Sequence, residues 1–236
     1  MLQVKTFIFN PFEERGMVLW DESLQGVIVD PGCYDEAELG LIRGFVDQNH
    51  LEIKAIWLTH GHFDHIYGVT ALASGYGVPV YMNPEDEVIL SHDAMLSSNF
   101  GLKAADVSFS WEPVRDGDVL RFGAEEFKVI GTPGHTPGCI CLWNEAGSLL
   151  VSGDTLFAGS IGRTDSPWGD YDKLIVGIMD KLMGLPGETL VIPGHGPRTD
   201  IGYERTHNPF LQPFNEPGGD DLDWSDEGVE LSGLDL

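Results

Sequence analysis

Residues 3–10 alternate between apolar and polar positions, the period of a strand whose successive side chains face opposite ways. Met17 to Trp20 and Gly26 to Asp30 are short apolar runs of strand length, with Asp21-Glu22-Ser23 as a turn between them. The period then changes. From Asp35 to His50, Ala37, Leu39, Leu41, Ile42, Phe45 and Val46 follow helical spacing. Ile53 to Leu58 is again a short apolar strand, and it runs directly into Thr59-His60-Gly61-His62. Val69 to Ala73 predicts a helix and Val78 to Met82 a strand. Pro84 opens a helix through Leu90, since proline suits the first turn. Residues 91–117 carry no clear period and read as a long loop. Val119 to Phe122, Glu126 to Ile130, Ile140 to Trp143 and Leu149 to Val151 predict strands, Asp170 to Met183 a helix, and Thr189 to Ile192 a last strand. Hairpins come first, then interspersed helices, then hairpins again. That order predicts two sheets covered by helices rather than one doubly wound sheet.

The chain has 236 residues, within reach of one large domain. Hydrophobic residues make up 42% and charged residues 22%, as in soluble globular proteins. Thirteen bases against thirty-eight acids give a net charge of −25. A field of that sign repels nucleic-acid phosphates and anionic membranes, so neither is expected as a partner. No apolar run approaches the roughly 20 residues of a membrane helix. The N-terminus lacks the pattern of a signal peptide. Three cysteines (Cys33, Cys139, Cys141) do not make a disulfide framework, so a cytoplasmic protein is expected. Cys139 and Cys141 read as small core residues of one strand. From Glu216 to Leu236 there are eight acids and no base, which reads as a solvated tail. The expected division is a domain over 1–211 and an acidic tail over 212–236.

The densest chemistry is Thr59-His60-Gly61-His62-Phe63-Asp64-His65, three histidines and an aspartate within six residues. In an extended segment His60, His62 and Asp64 share a face, and a turn into a helix would bring His65 to it. Imidazole suits zinc, iron and other transition metals, and a carboxylate completes mixed N/O sites. A polar loop with capping histidines is the plainer alternative. It does not suit four polar groups at the end of a buried strand, which need satisfied partners. Gly134-His135, Gly153-Asp154 and Gly194-His195 each follow a predicted strand beside further turn residues. Four strand ends therefore deliver metal-ligand residue types. His50, His92 and His207 have no convergent partners in sequence and read as structural.

With these residues in order, the chain resembles the metallo-β-lactamase superfamily over roughly residues 5–207. The matching parts are His60-x-His62-x-Asp64-His65, His135, Asp154, His195 and the early Asp30 of Val29-Asp30-Pro31-Gly32. The resemblance implies an α/β fold, a four-layer αβ/βα sandwich with metals at one edge between the sheets. It implies that His60, His62 and His135 hold one ion, Asp64, His65 and His195 a second, and that Asp154 bridges them. Two divalent metal ions are implied, zinc first, with iron or manganese compatible with the same ligands.

Asp154 stands where zinc β-lactamases of the best-known class carry cysteine, and Asp154-Thr155-Leu156-Phe157 resembles glyoxalase II, hydroxyacylglutathione hydrolase. Where that enzyme continues Gly-Lys-x-Tyr, this chain has Gly162-Arg163-Thr164-Asp165. Arg163 keeps a cation for a substrate's anionic end. An ion pair with Asp165 or another acid is the alternative. Only 41 residues follow His195, too few for the helical second domain of full-length glyoxalase II. The resemblance is thus to short, single-domain glyoxalase II-like hydrolases. It implies hydrolysis of a small thioester, with Asp64 both ligand and orienting group for the attacking water. Persulfide dioxygenases share the fold and the Gly-Arg-Thr-Asp segment, and bind one iron through residues matching His60, His135 and Asp154. A non-enzymatic binding module is the third reading. An RNA-processing nuclease is disfavoured by the charge.

Overall fold

The computed structural model describes residues 1–212. The acidic segment from 213 onward, which the sequence reads as a tail, lies outside the described residues. The first sheet runs in the order β1 (Gln3–Phe9), β2 (Glu14–Trp20), β3 (Gln25–Val29), β4 (Glu52–Trp57), β5 (Val80–Met82) and β6 (Glu112–Pro113). β1, β2 and β3 are antiparallel neighbours; β4, β5 and β6 add in parallel. The second sheet has β7 (Val119–Phe122), β8 (Glu125–Gly131), β9 (Ile140–Asn144) and β10 (Leu149–Gly153) as an antiparallel run. β13 (Leu190–Pro193) joins β10 in parallel and β14 (Thr199–Asp200) closes the edge. Between them, β11 (Leu156–Phe157) and β12 (Ser160–Ile161) form a small separate hairpin.

The period of two sorts the side chains into layers. Met17, Leu19, Val27, Val29, Ala55 and Trp57 leave the first sheet on one face and meet Phe127, Val129, Ile140, Leu142, Val151 and Ile192 of the second. Val18, Ile28 and Ile56 point the other way, onto α1 (Glu36–Gln48) and α3 (Val69–Tyr76). Cys141, Leu150 and Val191 leave the second sheet outward, onto α6 (Tyr171–Gly177) and α7 (Ile201–His207). Both sheets are covered on both faces, which is the four-layer αβ/βα sandwich. No helix among the described residues is long and apolar enough to cross a membrane.

Several elements differ from the sequence expectation. Pro84 opens a 3-10 turn over Pro84–Asp86, and the helix proper, α4, is Glu87–Ser91. The expected loop over 91–117 contains α5 (Asp93–Ser98) and β6. α5 turns polar residues inward: Asp93 and Ser97 are buried, and Asp93 accepts from the Ala105 amide at 2.7 Å. It therefore has no apolar period to read. The helix expected over Asp170 to Met183 is α6 followed by a wider π-type turn, Ile178–Leu182. Leu174, Ile178 and Leu182 are four apart and all fully buried. A 3.6-residue helix would rotate them off one line, and the wider turn keeps them on the core. β14 and α7, at the end of the described chain, were not foreseen.

Candidate metal centre

The strands end at one edge of the sandwich, and their following loops carry the polar residues. β3 stops at Asp30, whose φ of 45° lies in the left-handed region. Such a conformation in a non-glycine residue marks a position that its surroundings over-determine. Asp30 faces back across β4: Oδ1 accepts from the Thr59 amide at 2.8 Å and Oδ2 from the Thr59 hydroxyl at 2.5 Å. Past β4 the chain supplies His60 and His62, then turns into α2 (Phe63–Ile66), which supplies Asp64 and His65. His135 follows β8, Asp154 follows β10, and His195 follows β13. The loops can approach this closely because glycines leave room. A Cβ on Gly194 would lie 2.4 Å from Asp154 Oδ1 and 2.7 Å from His65 Cε1.

The predicted ligands converge in two groups. His60 Nε2 lies 3.1 Å from His62 Nδ1, which lies 2.9 Å from His135 Nε2. In the second group His65 Nε2 is 3.3 Å from His195 Nε2, and Asp64 Oδ2 is 3.3 Å from His195 Nε2 and 3.8 Å from His65 Nε2. Asp154 stands between them. Its Oδ2 is 3.4 Å from His135 Nε2 and 3.6 Å from His195 Nε2, and its Oδ1 is 3.5 Å from His65 Nε2. His60, His65, His135, Asp64 and Asp154 are all buried.

Hydrogen bonds on the far side of each ring fix which nitrogen faces inward. His135 Nδ1 donates to the Arg163 carbonyl at 2.8 Å and His195 Nδ1 to the Phe12 carbonyl at 2.9 Å. His65 Nδ1 donates to Asp30 Oδ2 at 3.0 Å. The Thr59 hydroxyl spends its proton on Asp30, so it accepts from His60 Nδ1 at 3.1 Å. Each of these rings therefore turns an Nε2 lone pair toward its neighbours. Lone pairs facing each other at about 3 Å repel unless a cation lies between them. Nitrogens bound tetrahedrally at roughly 2.0–2.1 Å from zinc are about 3.3 Å apart, close to the spacings seen here. Asp154 Oδ1 is buried with no hydrogen-bond partner, an acceptor that a cation would satisfy. The donor set thus fits divalent metal ions, with outer partners of the kind that orient metal-binding histidines.

Electrostatics agree. Against burial, the neighbouring His65, His135 and His60 hold the Asp154 carboxyl well below the usual carboxylate range. Burial lowers His60, and lowers His62 to about 3, so both rings are neutral at pH 7, the form in which imidazole binds a metal. His65 is the exception: against burial, Asp154 and Asp64 raise it well above the ordinary histidine value, so with no metal bound a proton occupies its Nε2, the place an ion would take. Asp30, His60 and His65 form a third close set. Asp30 already accepts from Thr59 and His65, so it supports the ligands from behind.

Three supporting residues carried no signal in the sequence reading. Asp86 is fully buried and accepts from the Gly61 and Gly138 amides and the Thr136 hydroxyl. Asn10 donates to the Asp64 carbonyl at 2.8 Å. Glu14 is fully buried 3.8 Å from His65 Nδ1, and neither carboxylate oxygen has a hydrogen-bond partner; burial pushes its carboxyl well above the usual range. Arg163 is placed at the cleft, but its guanidinium bonds Asp165 at 2.8 and 3.1 Å. His50, His92 and His207 lie outside the ligand groups. Cys33, Cys139 and Cys141 are free and buried. Burial raises the thiol of each, that of Cys141 to about 11.

Of the predicted ligands, His62, Asp64, His135, Asp154 and His195 line a cleft of about 630 Å³. Its ionisable lining groups are ligand-type residues, apart from Arg163 and Asp165.

Comparison with known proteins gives the same answer. The chain is 36% identical over 215 residues to hydroxyacylglutathione hydrolase GloC of Haemophilus influenzae, covering 89% of this chain and 98% of that one. Among solved structures, the BLEG-1 B3 metallo-beta-lactamase superposes with a TM-score of 0.82 at 35% identity, over 89% of this chain and all of that one. TTHA1623 in a di-iron-bound form follows at a TM-score of 0.78 and 33% identity, over 88% of this chain and all of that one. The model of the metallo-beta-lactamase superfamily matches residues 17–195, which span Asp30 and both groups of predicted ligands, and the chain belongs to that superfamily.

Proposed function

We propose that the protein is a metal-dependent hydrolase of small thioesters. In this reading His60, His62 and His135 hold one divalent ion, Asp64, His65 and His195 hold a second, and Asp154 is shared. When bound, such a pair supplies hydroxide near neutral pH and polarises a carbonyl. The chain's own part is to orient and exclude. Asp30, Thr59 and the Phe12 and Arg163 carbonyls lock the rings. Asp64 lines the cleft, where its carboxylate can align an entering water against the acyl carbon. The water oxygen forms the new acyl C–O bond as the C–S bond breaks, giving a carboxylic acid and a thiol.

The observation that carries the thioester reading is the absence of a free acid among the described cleft residues. Arg163 and Asp165 are engaged with each other, and the remaining ionisable groups are ligand-type. An amine leaving group needs a proton donor. A thiolate, with a thiol pKa near 8.5, leaves without one. The likeness to the protein named hydroxyacylglutathione hydrolase supports the same class. The test is metal analysis together with turnover of S-lactoylglutathione, neutral thioesters and a chromogenic β-lactam on one sample. Thioester turnover that chelation removes and metal restores is expected. Two bound ions with β-lactam turnover and no thioester turnover would overturn the reading.

A second reading is a mononuclear-iron persulfide dioxygenase. Gly162-Arg163-Thr164-Asp165 favours it, whereas the di-iron-bound form of the related TTHA1623 supports iron but not a single ion. One iron per chain and oxygen uptake with glutathione persulfide would establish it in place of the first.

A further inference from the structure

The cleft has a wall that metal chemistry does not use. Phe12, Phe63 and Phe100 form a three-ring cluster, with centroids 5.4 Å (Phe12–Phe63), 5.1 Å (Phe12–Phe100) and 5.8 Å (Phe63–Phe100) apart. All three line the cleft, as do Leu96, Phe157 and Ile161. The wall is indexed to the reaction centre by covalent geometry. Phe63 stands between His62 and Asp64 in the chain, and the Phe12 carbonyl holds His195. Phe63 is buried, whereas Phe100 lines the cleft and is 50% exposed. An exposed aromatic ring packed edge-on against one ring and tilted against another offers apolar area to an incoming group without rearrangement.

The polar rim adds no counterweight. Arg163 is the one lining cation among the described residues, and Asp165 neutralises it. The chain's charge of −25 repels anions at longer range. An anionic arm laid on this wall would lose hydration and find no free cation among the described lining residues, only the neutral Asn99, Ser160 and Ser166.

We propose that the cleft selects thioesters whose arm beyond the scissile bond is uncharged and apolar, aryl or alkyl, and that it disfavours the charged glutathione arm. This rests on the thioester reading above. The holoenzyme is compared on three acetyl thioesters: S-benzyl thioacetate, S-methyl thioacetate and S-acetylglutathione. The benzyl compound is expected to exceed S-acetylglutathione in kcat/KM by about tenfold or more. Phe100→Ala is expected to lower the benzyl-to-methyl ratio by about five- to tenfold, with the metal content of the wild type. Preference for S-acetylglutathione, or a ratio unmoved by Phe100→Ala, overturns the proposal. Binding separates this from the activity itself. In NMR titrations with the inert thioethers benzyl methyl sulfide and S-methylglutathione, the benzyl compound should bind more tightly, and Phe100→Ala should remove the difference. If none of the three thioesters is turned over, the hydrolase reading fails, and this binding order alone decides the selectivity.

Discussion

Asp86→Asn tests how the metal loops are fastened. Asp86 Oδ2 accepts from the Gly61 amide and the Thr136 hydroxyl, both at 2.8 Å, and Oδ1 accepts from the Gly138 amide at 2.6 Å. Gly61 separates His60 from His62, and Thr136 follows His135. One buried carboxylate therefore ties together the two loops of the first ligand group. Asparagine has the same shape but a single oxygen. Whichever way its amide turns, the NH2 group faces a backbone N–H, that of Gly61 or Gly138. A buried donor left without an acceptor costs about 1–3 kcal/mol.

The carboxylate has its own cost. Burial raises Asp86 to about 6 from 3.8. At 1.36 kcal/mol per unit, its charge costs the fold roughly 3 kcal/mol at pH 7, which a neutral amide avoids. The two effects are of similar size, so at pH 7 wild type and variant should differ by less than about 2 kcal/mol in unfolding free energy. They separate in acid. The folded pKa lies above the unfolded one, so the folded state binds more protons between them. Wild-type stability therefore rises as pH falls from about 6 toward 4 on this account, and the variant has no such gain. Urea denaturation of both proteins in chelator, from pH 7 to 4, should show the wild type's advantage widening by up to about 3 kcal/mol. An advantage that stays flat or shrinks refutes the buried charge. Chelator competition at pH 7 should show metal affinity falling about tenfold, because His60 and His62 are no longer held against His135. Unchanged affinity refutes the fastening.

Asp154→Ala removes the carboxylate between the two groups, and metal analysis should find neither ion tightly held; two retained ions would dismiss its shared role. Asp30→Asn has one oxygen where the carboxylate's two take the Thr59 amide, the Thr59 hydroxyl and His65, so its NH2 must face at least one of these donors. Metal affinity should fall about 10–100-fold in chelator titration, and wild-type affinity would show that His65 needs no such support. Arg163→Ala breaks an exposed ion pair, about 0–1 kcal/mol, and keeps the carbonyl that holds His135. KM for an anionic thioester should change by less than about fivefold with metal content intact. A rise of tenfold or more confined to anionic substrates would show that Arg163 leaves Asp165 to bind them.

The four strand ends were legible because their residue types are rare there. Histidine and aspartate beside glycine after an apolar run must find polar partners, and four such places in one chain point at one another. The layers were legible for a related reason: a strand buried on both faces, such as Leu149 to Val151, is apolar without interruption. What could not be read was anything held by the backbone. The nitrogens of His135 and His195 are chosen by the carbonyls of Arg163 and Phe12, 28 and 183 residues away, and every residue has a carbonyl. Asp86 lies in a proline turn rich in acids, where nothing marks it as the buried one. α5 was hidden because it buries Asp93 and Ser97 and leaves Met95 exposed, the reverse of the expected period.

Arg163 shows how local competition limits a reading from residue type. A lone cation in an acidic chain suggests an anionic ligand, and the charge −25 made that suggestion stronger. The same excess of acid places a carboxylate within reach of almost any arginine. Asp165 is two residues away, and a tethered group acts at an effective concentration in the millimolar range or above. A free anion at metabolite concentration must displace it and bring better geometry to do so. The pair forms two bonds, at 2.8 and 3.1 Å, and stands open to solvent, where each bond is weak. Selectivity at this cleft is therefore better sought in the three phenylalanines, whose positions are set by the chain beside His62, Asp64 and His195, than in a cation that its neighbour already satisfies.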